Sequence, residues 1–593
     1  MAKSNLSAVS PGKDENIPFR LNSFNRCRKW WRALRFYLKL NLNFQPVYLA
    51  PVLIPLIINS GVAIAMPFNS FDPRSMAMGG TGVAVGDPST APFFNPAMLT
   101  TSDPEKKYSV EFPIVGETMY DPSNMHTKLK NVENMNNQLT ISRTALTANA
   151  TVLTNSISTL TNNILALDIN NLASSATTVS TLKANISSVA SNMSIAGSNA
   201  TTVSTQINNI NQLLLAMSNQ PVEAKFGVAT VVGIPGKDWG FAVYADAWGA
   251  MGGTLIYNDA STVLNLASAT ASVGTALSSS GSATSSTIAA LTVASNDLNA
   301  AIASCSGSNL SGCPSALTTA NTSVGAASSS LASTTNTLIT NIPKIADAAS
   351  TINLNPTLQS RVHIRGVLIE ETGVSVSHNL VYGDQSCSIG LTPKILHLHL
   401  FDAKLNPDSG SITAGLTSSD FLAEYTTFNF DMGIAKAYQN GMRLGVVAKN
   451  VVPQKFDFKS ALTPGGTPVP DGASLKMNPQ ARIGASYETS WSTVAFDLDV
   501  TKNNPAGLEN HSQYVGIGGE WSAFGWAQLR AGYHHDLLSP SQPMASAGFG
   551  VSPRIPYFKP HFDFAVTVSP TIFAKGWGGA TQVGAAFRAG VNF

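Results

Sequence analysis

The last thirteen residues, Thr581-Gln-Val-Gly-Ala-Ala-Phe-Arg-Ala-Gly-Val-Asn-Phe593, decide how the chain is read. With a period of two, Val583, Ala585, Phe587, Ala589, Val591 and Phe593 fall on one face, and Gln582, Gly584, Ala586, Arg588, Gly590 and Asn592 on the other. Alternation of this kind describes a β-strand with one dry side and one wet or small side. Two architectures offer such a strand a place, the edge of a soluble sandwich and the wall of a barrel. The upstream sequence separates them.

Bounds come first. The chain has 593 residues, a formal net charge of +2 and only 12% charged residues, so no basic surface for nucleic acid is indicated. Beyond the N-terminal stretch, no apolar run reaches the ~18 residues of a membrane helix. A helical membrane protein is thereby excluded, whereas barrel strands hide their apolarity by alternation.

A series of strands and turns fills much of the chain. Strands are expected over 108–118, 222–234 and 239–257, then from Arg361 through Ser377, and over 389–405. Short turns stand at Pro235–Asp238, Gly383-Asp384, Gln439–Gly441, Thr489-Ser490, Phe524-Gly525 and Pro556-Tyr557. Between them lie longer polar loops, 406–420, 460–472, 503–512, 539–545 and 574–579. The count comes to about fourteen strands, with short turns on one rim and long loops on the other, the asymmetry of an outer-membrane barrel. A sandwich has no reason to sort its loops this way, so the barrel is preferred. Strand faces agree: Phe428, Phe430 and Met432 oppose Asn429, Asp431 and Gly433, and Val494, Phe496 and Leu498 oppose Asp497 and Asp499. The terminal strand resembles the closing strand of bacterial outer-membrane barrels. That likeness implies Phe593 as a signal for the barrel-assembly machinery and outer-membrane lipid as the partner of the apolar face.

The N-terminus reads as an export signal over residues 1–65. It has a basic region from Arg20 to Lys39, an apolar core Val47–Ile58, and a small-x-small site at Ala63-Ile64-Ala65. A retained anchor is disfavoured by Pro51, Pro55 and Asn59. A segment rich in Gly and Pro follows, SFDPRSMAMGGTGVAVGDPSTAPFFNPAML from Ser70 to Leu99, read as a compact loop with at most a short helix near 81–85. Gly79, Gly80, Gly82, Asn95 and Pro96 give it an MGG-G-A…NPA pattern. The pattern resembles the opening of the FadL-like outer-membrane barrel superfamily, which includes PorV-type proteins and the family labelled conjugal-transfer TraF. Leu391–Ile395 and Leu444–Val451 extend the likeness, which covers 66–120 and most of 360–593. It implies that 66–105 is a plug inside a barrel formed by 106–125, 220–258 and 357–593. It also implies transport of a small apolar solute. Nothing resembles a thioredoxin domain, and there is no C-x-x-C.

Two inserts, 126–219 and 259–356, change composition to Ser, Thr, Asn and Ala. Ile186, Val189, Met193, Ala196, Ala200, Val203 and Ile207 step by three and four, a heptad seam, and 146–167 carries a matching one. The first insert is therefore expected as an antiparallel hairpin with arms of ~40 residues, ~60 Å long. In the second, Leu317, Val324, Leu331, Leu338, Ile345 and Ile352 recur every seven residues, with Ile288, Leu291, Leu298 and Ile302 in the partner arm. Two such hairpins make a coiled-coil, four-helix stalk, expected outside the cell and able to meet a surface protein partner. Cys305 and Cys313 flank the tip of the second hairpin and are expected to form a disulfide, worth about 2.5 kcal/mol for so short a loop.

His397 and His399 share one face of their strand, opposite Leu396, Leu398 and Leu400, and are assigned to the lumen. Arg365, Asp431, Lys449, Asp497, Asp499, Arg530, Asp563 and Arg588 join them there, since buried charge must be paired. No catalytic residue, cofactor or metal ligand set emerges, and no Ser-His-Asp or nucleotide-loop motif stands in a convincing context. Two functions remain: a FadL-like channel, or a surface protein whose stalk does the work.

Overall fold

In the computed structural model, residues 64–65, 71–100, 108–121, 123–165, 172–305, 310–351, 359–382, 385–406, 415–416, 418–461, 473–508, 510–522, 524–538, 543–553, 555, 558–572 and 581–593 are described. The proposed export signal, apart from Ile64 and Ala65, lies outside them. The strands are β1 Ser109–Tyr120, β2 Val222–Ile234, β3 Trp239–Ile256, β4 Arg361–Tyr382, β5 Gln385–Leu405, β6 Leu422–Ala437 and β7 Met442–Lys449. They continue as β8 Gln480–Glu488, β9 Ser492–Asp499, β10 Tyr514–Trp521, β11 Ala527–Asp536, β12 Met544–Val551, β13 Lys559–Val568 and β14 Gln582–Asn592. Each pairs antiparallel with the next, and β14 pairs with β1, which closes a fourteen-stranded barrel. Past the end of β14, the Phe593 N–H donates to Tyr108 O at 2.9 Å.

The outer wall is apolar. Phe226, Val228, Val243, Ile395, Phe428, Val446, Phe496, Ile517, Phe549, Phe564 and Phe587 are all exposed. Their inward neighbours Asn429, Asp431, Asp497, Asp563, Ala586 and Arg588 are buried. A closed sheet with apolar side chains turned outward matches a bilayer as solvent, because closure leaves no open sheet edge whose backbone groups need water. No described helix is long and apolar enough to cross a membrane.

The wall changes character part-way along β5. Thr392 and Lys394 are buried on the inner face and Ile395 is exposed on the outer one. From Leu396 the pattern inverts, with Leu396, Leu398 and Leu400 fully buried and His397 exposed. This corrects the lumen assignment of His397 and His399. Both lie on the outer face, His397 bonded to Thr426 Oγ1 at 2.9 Å and His399 paired with Glu424 at 3.3 Å. The neighbouring strands invert at the same height, since outward Ile395 pairs with Phe428 but His397 pairs with Thr426 and Glu370. The stretch Gln385–Ile395 spans ~36 Å of strand, which tilt reduces to roughly the 25 Å apolar band of such barrels. Beyond it the outer face meets water, so apolar side chains must turn inward. There Trp248, Val367, Ile369, Leu396, Leu398 and Leu400 pack on Phe456, Phe458, Leu475 and Met477 of the connection between β7 and β8. That connection folds into a hairpin, Gln454–Asp457 against Ser474–Met477.

Two helical pairs interrupt the strand series, α3 Met125–Leu165 with α4 Leu172–Met217, and α5 Ala260–Cys305 with α6 Cys313–Thr351. Two short helices lie nearer the N-terminus, α1 Pro73–Ala77 and α2 Ala91–Phe94. Ile186, Val189, Met193, Ala196, Ala200, Val203 and Ile207 are buried, with Leu153 of α3 among the residues they pack on. In α6 the seam differs from the sevenfold Leu/Val series. Leu317 and Val324 are 54% and 50% exposed, whereas Ala320, Ala327, Thr334 and Asn341 are buried. Small residues win because α5 and α6 approach closely and join through hydroxyls. Thr287 bonds Thr334, Ser323 bonds Asp297, and Asn341 Nδ2 donates to Ser280 Oγ at 3.2 Å. Cys305 and Cys313 are disulfide-bonded.

The two pairs are also joined to each other. Ser204 Oγ donates to Ala267 O at 2.6 Å, and a Cβ on Gly197 would stand 2.4 Å from Ser278 Oγ and 2.7 Å from Gly274 O. At the base, Tyr257 bonds Asn211 at 2.5 Å, and Asp259 accepts the N–H groups of Gln359 and Ser360 at 2.9 and 2.8 Å. Burial opposes ionisation of Asp259, but these donors and the Ser360 hydroxyl outweigh it and hold the carboxyl below its ordinary range. Gly197→Leu is expected to part α4 from α5 by overpacking. Protease cleavage within the helices should rise several-fold while the heat-modifiable barrel band on a denaturing gel stays. Loss of that band would show that barrel assembly depends on the helical contact.

Candidate functional site

Residues 71–100 occupy the ring. Asp72 caps α1, accepting the Ser75 N–H at 2.8 Å, and Asn95 joins α2 to a 3-10 turn Pro96–Thr100. The short helix expected at 81–85 is absent, since the glycines there favour turns. Every residue from Ser89 to Thr100 is buried.

The wall accepts this segment through glycines. A Cβ on Gly516, Gly518 or Gly532 would come within 2.1–2.2 Å of the backbone of Met78 or Gly79. One on Gly390 would meet Ala97 N at 2.3 Å, one on Gly433 Asn95 Oδ1 at 1.9 Å, and one on Gly445 Val83 O at 2.5 Å. These glycines belong to β5, β6, β7, β10 and β11. A segment touching so many strands of a closed ring on their buried face lies inside it. Gly79 and Gly80 take φ of +68° and +78°, left-handed backbone that suits glycine.

Charge fixes the segment in place. Arg74 pairs with Glu520 at 2.9 Å, Glu520 with Arg530 at 2.7 Å, Arg530 with Asp563 at 2.5 Å, Asp563 with Arg588 at 2.5 Å, and Arg588 with Asp72 at 3.0 Å. Three carboxylates and three guanidiniums thus alternate in a circuit that begins and ends on α1. Glu111 joins from β1, 3.8 Å from Arg588 and 2.8 Å from His561. Further round, Asp497 accepts the N–H groups of Gly82 and Val83 at 2.8 and 3.0 Å, Arg482 pairs with Asp499 at 2.6 Å, and Lys449 donates to Phe93 O at 3.1 Å. Asn95 Nδ2 reaches both Val83 O and Ile434 O at 3.1 Å. Lys394, fully buried, pairs with Glu371 at 2.9 Å and Asp431 at 3.2 Å. Nearer the end of β5, Asp402 holds His363 at 2.6 Å and Arg365 at 2.9 Å.

Of the residues assigned to the lumen from sequence, Asp431, Asp497, Asp499, Arg530, Asp563 and Arg588 are buried on the inner face, while Arg365 and Lys449 are part-buried and bonded there. Sequence reasoning missed Asp72, Arg74, Glu111, Glu371, Lys394, Asp402, Arg482 and His561. Strand parity was an available signal for Lys394, which alternates with Ile395 after Thr392, and for Arg482 beside outward Ile483. Asp72 and Arg74 carried no such signal, because their segment has no period.

A cavity of about 140 Å³ remains on the side of the ring where the helical inserts attach. It is lined by Phe71, Gly80, Lys225, Arg482, Asp497, Tyr514 and His534, among others. Among the described residues there is no group of three or more His, Cys, Asp or Glu placed to hold a metal ion.

The model for the family described as "F plasmid transfer operon, TraF, protein" matches residues 92–499, more than half of the chain. No curated protein matches. Among solved structures, the Ralstonia pickettii toluene transporter TbuX aligns with a TM-score of 0.39 and 11% identity over 89% of this chain and 99% of its own. A Pseudomonas aeruginosa FadL homologue aligns with 0.39 and 9% over 90% and 99%, and the CymD monoaromatic hydrocarbon channel with 0.36 and 11% over 89% and 98%. By the extent of the family match, the chain belongs to this TraF family.

Proposed function

We propose that this protein is an outer-membrane channel for a small solute, with residues 71–100 as its plug and the helices as an extracellular stalk. The observation that carries the reading is the inner segment itself, fitted against wall glycines and held by an ion-pair circuit, with a cavity left beside it. A barrel serving only as a mount needs no such fitted, charge-locked interior. On this reading Phe593 is the signal met by the assembly machinery. The resemblance to FadL-like barrels implies an apolar solute, whereas the cavity lining mixes apolar residues with charged ones. A second reading has its own support. The two inserts span about 190 residues that a channel does not require, and their helices offer a surface for a protein partner.

The test is permeation of the full chain in proteoliposomes and planar bilayers. Wild type should pass small solutes slowly and show low conductance. The double variant Asp72→Asn, Arg74→Gln should raise both at least several-fold by releasing α1. Reconstituted, heat-modifiable barrels that leave vesicles as tight as bare lipid in both forms would defeat the channel reading and leave the stalk reading standing.

A further inference from the structure

The cavity beside the plug says what kind of solute fits. Its wall draws on eight strands. Thr118 comes from β1, Lys225 from β2, Arg482 from β8, Asp497 from β9, Tyr514 from β10, His534 from β11, Thr567 from β13 and Gln582 from β14, and Gly79 and Gly80 close it from the plug. Two buried polar atoms of this lining, Asp497 Oδ1 and His534 Nδ1, have no hydrogen-bond partner within the protein. Asp497 is held so that only its other oxygen takes the plug's N–H groups, at 2.8 and 3.0 Å. Arg482 is oriented by Asp499 at 2.6 Å and by Gly80 O at 3.3 Å, and Lys225 brings an ammonium to the same space. Phe71, Met76 and the Tyr514 ring supply apolar contact as well, so the lining is mixed, with its charged groups set among apolar surface.

We propose that this cavity is a binding site for a small hydrophilic solute carrying both hydrogen-bond donors and acceptors, of amino-acid or polyol type. The free carboxylate oxygen of Asp497 requires a donor, and His534 Nδ1 requires a donor or an acceptor according to its tautomer. A hydrocarbon supplies neither and leaves both atoms unmet, a heavy penalty for buried polar groups. Discrimination of this kind is strong when a site is built to bond a hydroxyl or amine that the competitor lacks. The charges facing the space are mixed, Lys225 and Arg482 against Asp497, with Asp499 behind, so a simple anion or cation meets a like charge whichever way it enters. The proposal rests on the channel reading for its purpose, not for its geometry.

Equilibrium dialysis of the full chain in detergent against radiolabelled L-serine, D-arabinose and toluene tests it, each corrected for partition into protein-free micelles. Saturable binding of L-serine identifies a zwitterion site and of D-arabinose a polyol site. In either case Lys225→Met and His534→Phe should each weaken binding tenfold or more in barrels that remain heat-modifiable. Saturable toluene binding with neither polar probe bound overturns the proposal, as does polar binding that both variants leave unchanged, or no saturable binding of any probe. Permeation in proteoliposomes, measured separately, tells the two readings apart. Binding without permeation removes the channel and keeps the site, and permeation without saturable binding does the reverse.

Discussion

Arg588→Met is expected to lower the stability of the barrel by about 3–5 kcal/mol, the usual cost of stripping one partner from a buried ion-pair network. Arg588 is 2% exposed and faces Asp563 at 2.5 Å, Asp72 at 3.0 Å and Glu111 at 3.8 Å. Methionine matches much of its length but leaves three carboxylates on an inner face with one guanidinium fewer among them. The loss also falls where β14 meets β1, the last pairing needed to close the ring, and it frees α1 from the wall. The measurement is the temperature at which the folded band converts to the unfolded one on a denaturing gel, with a large downward shift expected. Lysine in place of Arg588 should recover only part of the loss, because a point charge cannot bridge three acids as a planar fork does. An unchanged midpoint in Arg588→Met would mean that the circuit contributes nothing to closure.

The second large effect is expected from Gly532→Val. Valine suits a strand, so β11 itself gains propensity. Its Cβ, however, would stand 2.1 Å from Gly79 N, backbone that cannot yield as a flexible side chain would. Residues around Gly79 must shift, so on the proposed reading of this segment as a plug the barrel is expected to assemble with it displaced and with single-channel conductance raised several-fold. Gly253→Val is the control, because nothing lies within 4 Å of the added carbon, and it should change neither quantity. Equal conductance in the two variants would show that the plug does not sit in the path of ions.

The barrel was legible because its evidence is local and repeated. Phe496 against Asp497, or Phe428 against Asn429, states one dry face and one wet face, and fourteen such statements with sorted loops leave little freedom. The histidines show the limit of that reading. Period two tells which residues share a face but not which face is dry, and the sense of the face depends on height relative to lipid, which His397 does not carry in itself. The second helical pair fails for a related reason. Two sevenfold series run side by side in α6, Leu317 with Val324 and Ala320 with Ala327, Thr334 and Asn341. Apolarity favours the first as the seam, whereas close approach to the Ser, Thr and Gly of α5 selects the second. The charge circuit was half visible. Its strand members announced themselves by parity, but the pairing of Arg74 with Glu520 spans 446 residues and nothing in an aperiodic loop foretells it.

The inversion at Ile395 and Leu396 sets a distance with electrostatic meaning. Ten residues of β5, Leu396 to Leu405, continue past it, ~33 Å of strand and about 25 Å of elevation once tilted. Both helical pairs spring from that upper edge, since Asn219 donates to Leu255 O at 2.8 Å and Asp259 closes on Ser360. At physiological salt, 25 Å is about three screening lengths of ~8 Å. Ionised head groups at the lipid surface are therefore nearly invisible from the helix bases, and α4, α5 and α6 carry only Lys183, Asp297, Lys344 and Asp347 with which to sense them. On the proposed stalk reading, a partner meeting these three helices finds few charges on them and binds by shape and short-range contact, whereas at α3, with Lys128, Lys130, Glu133 and Arg143, ionic strength tells.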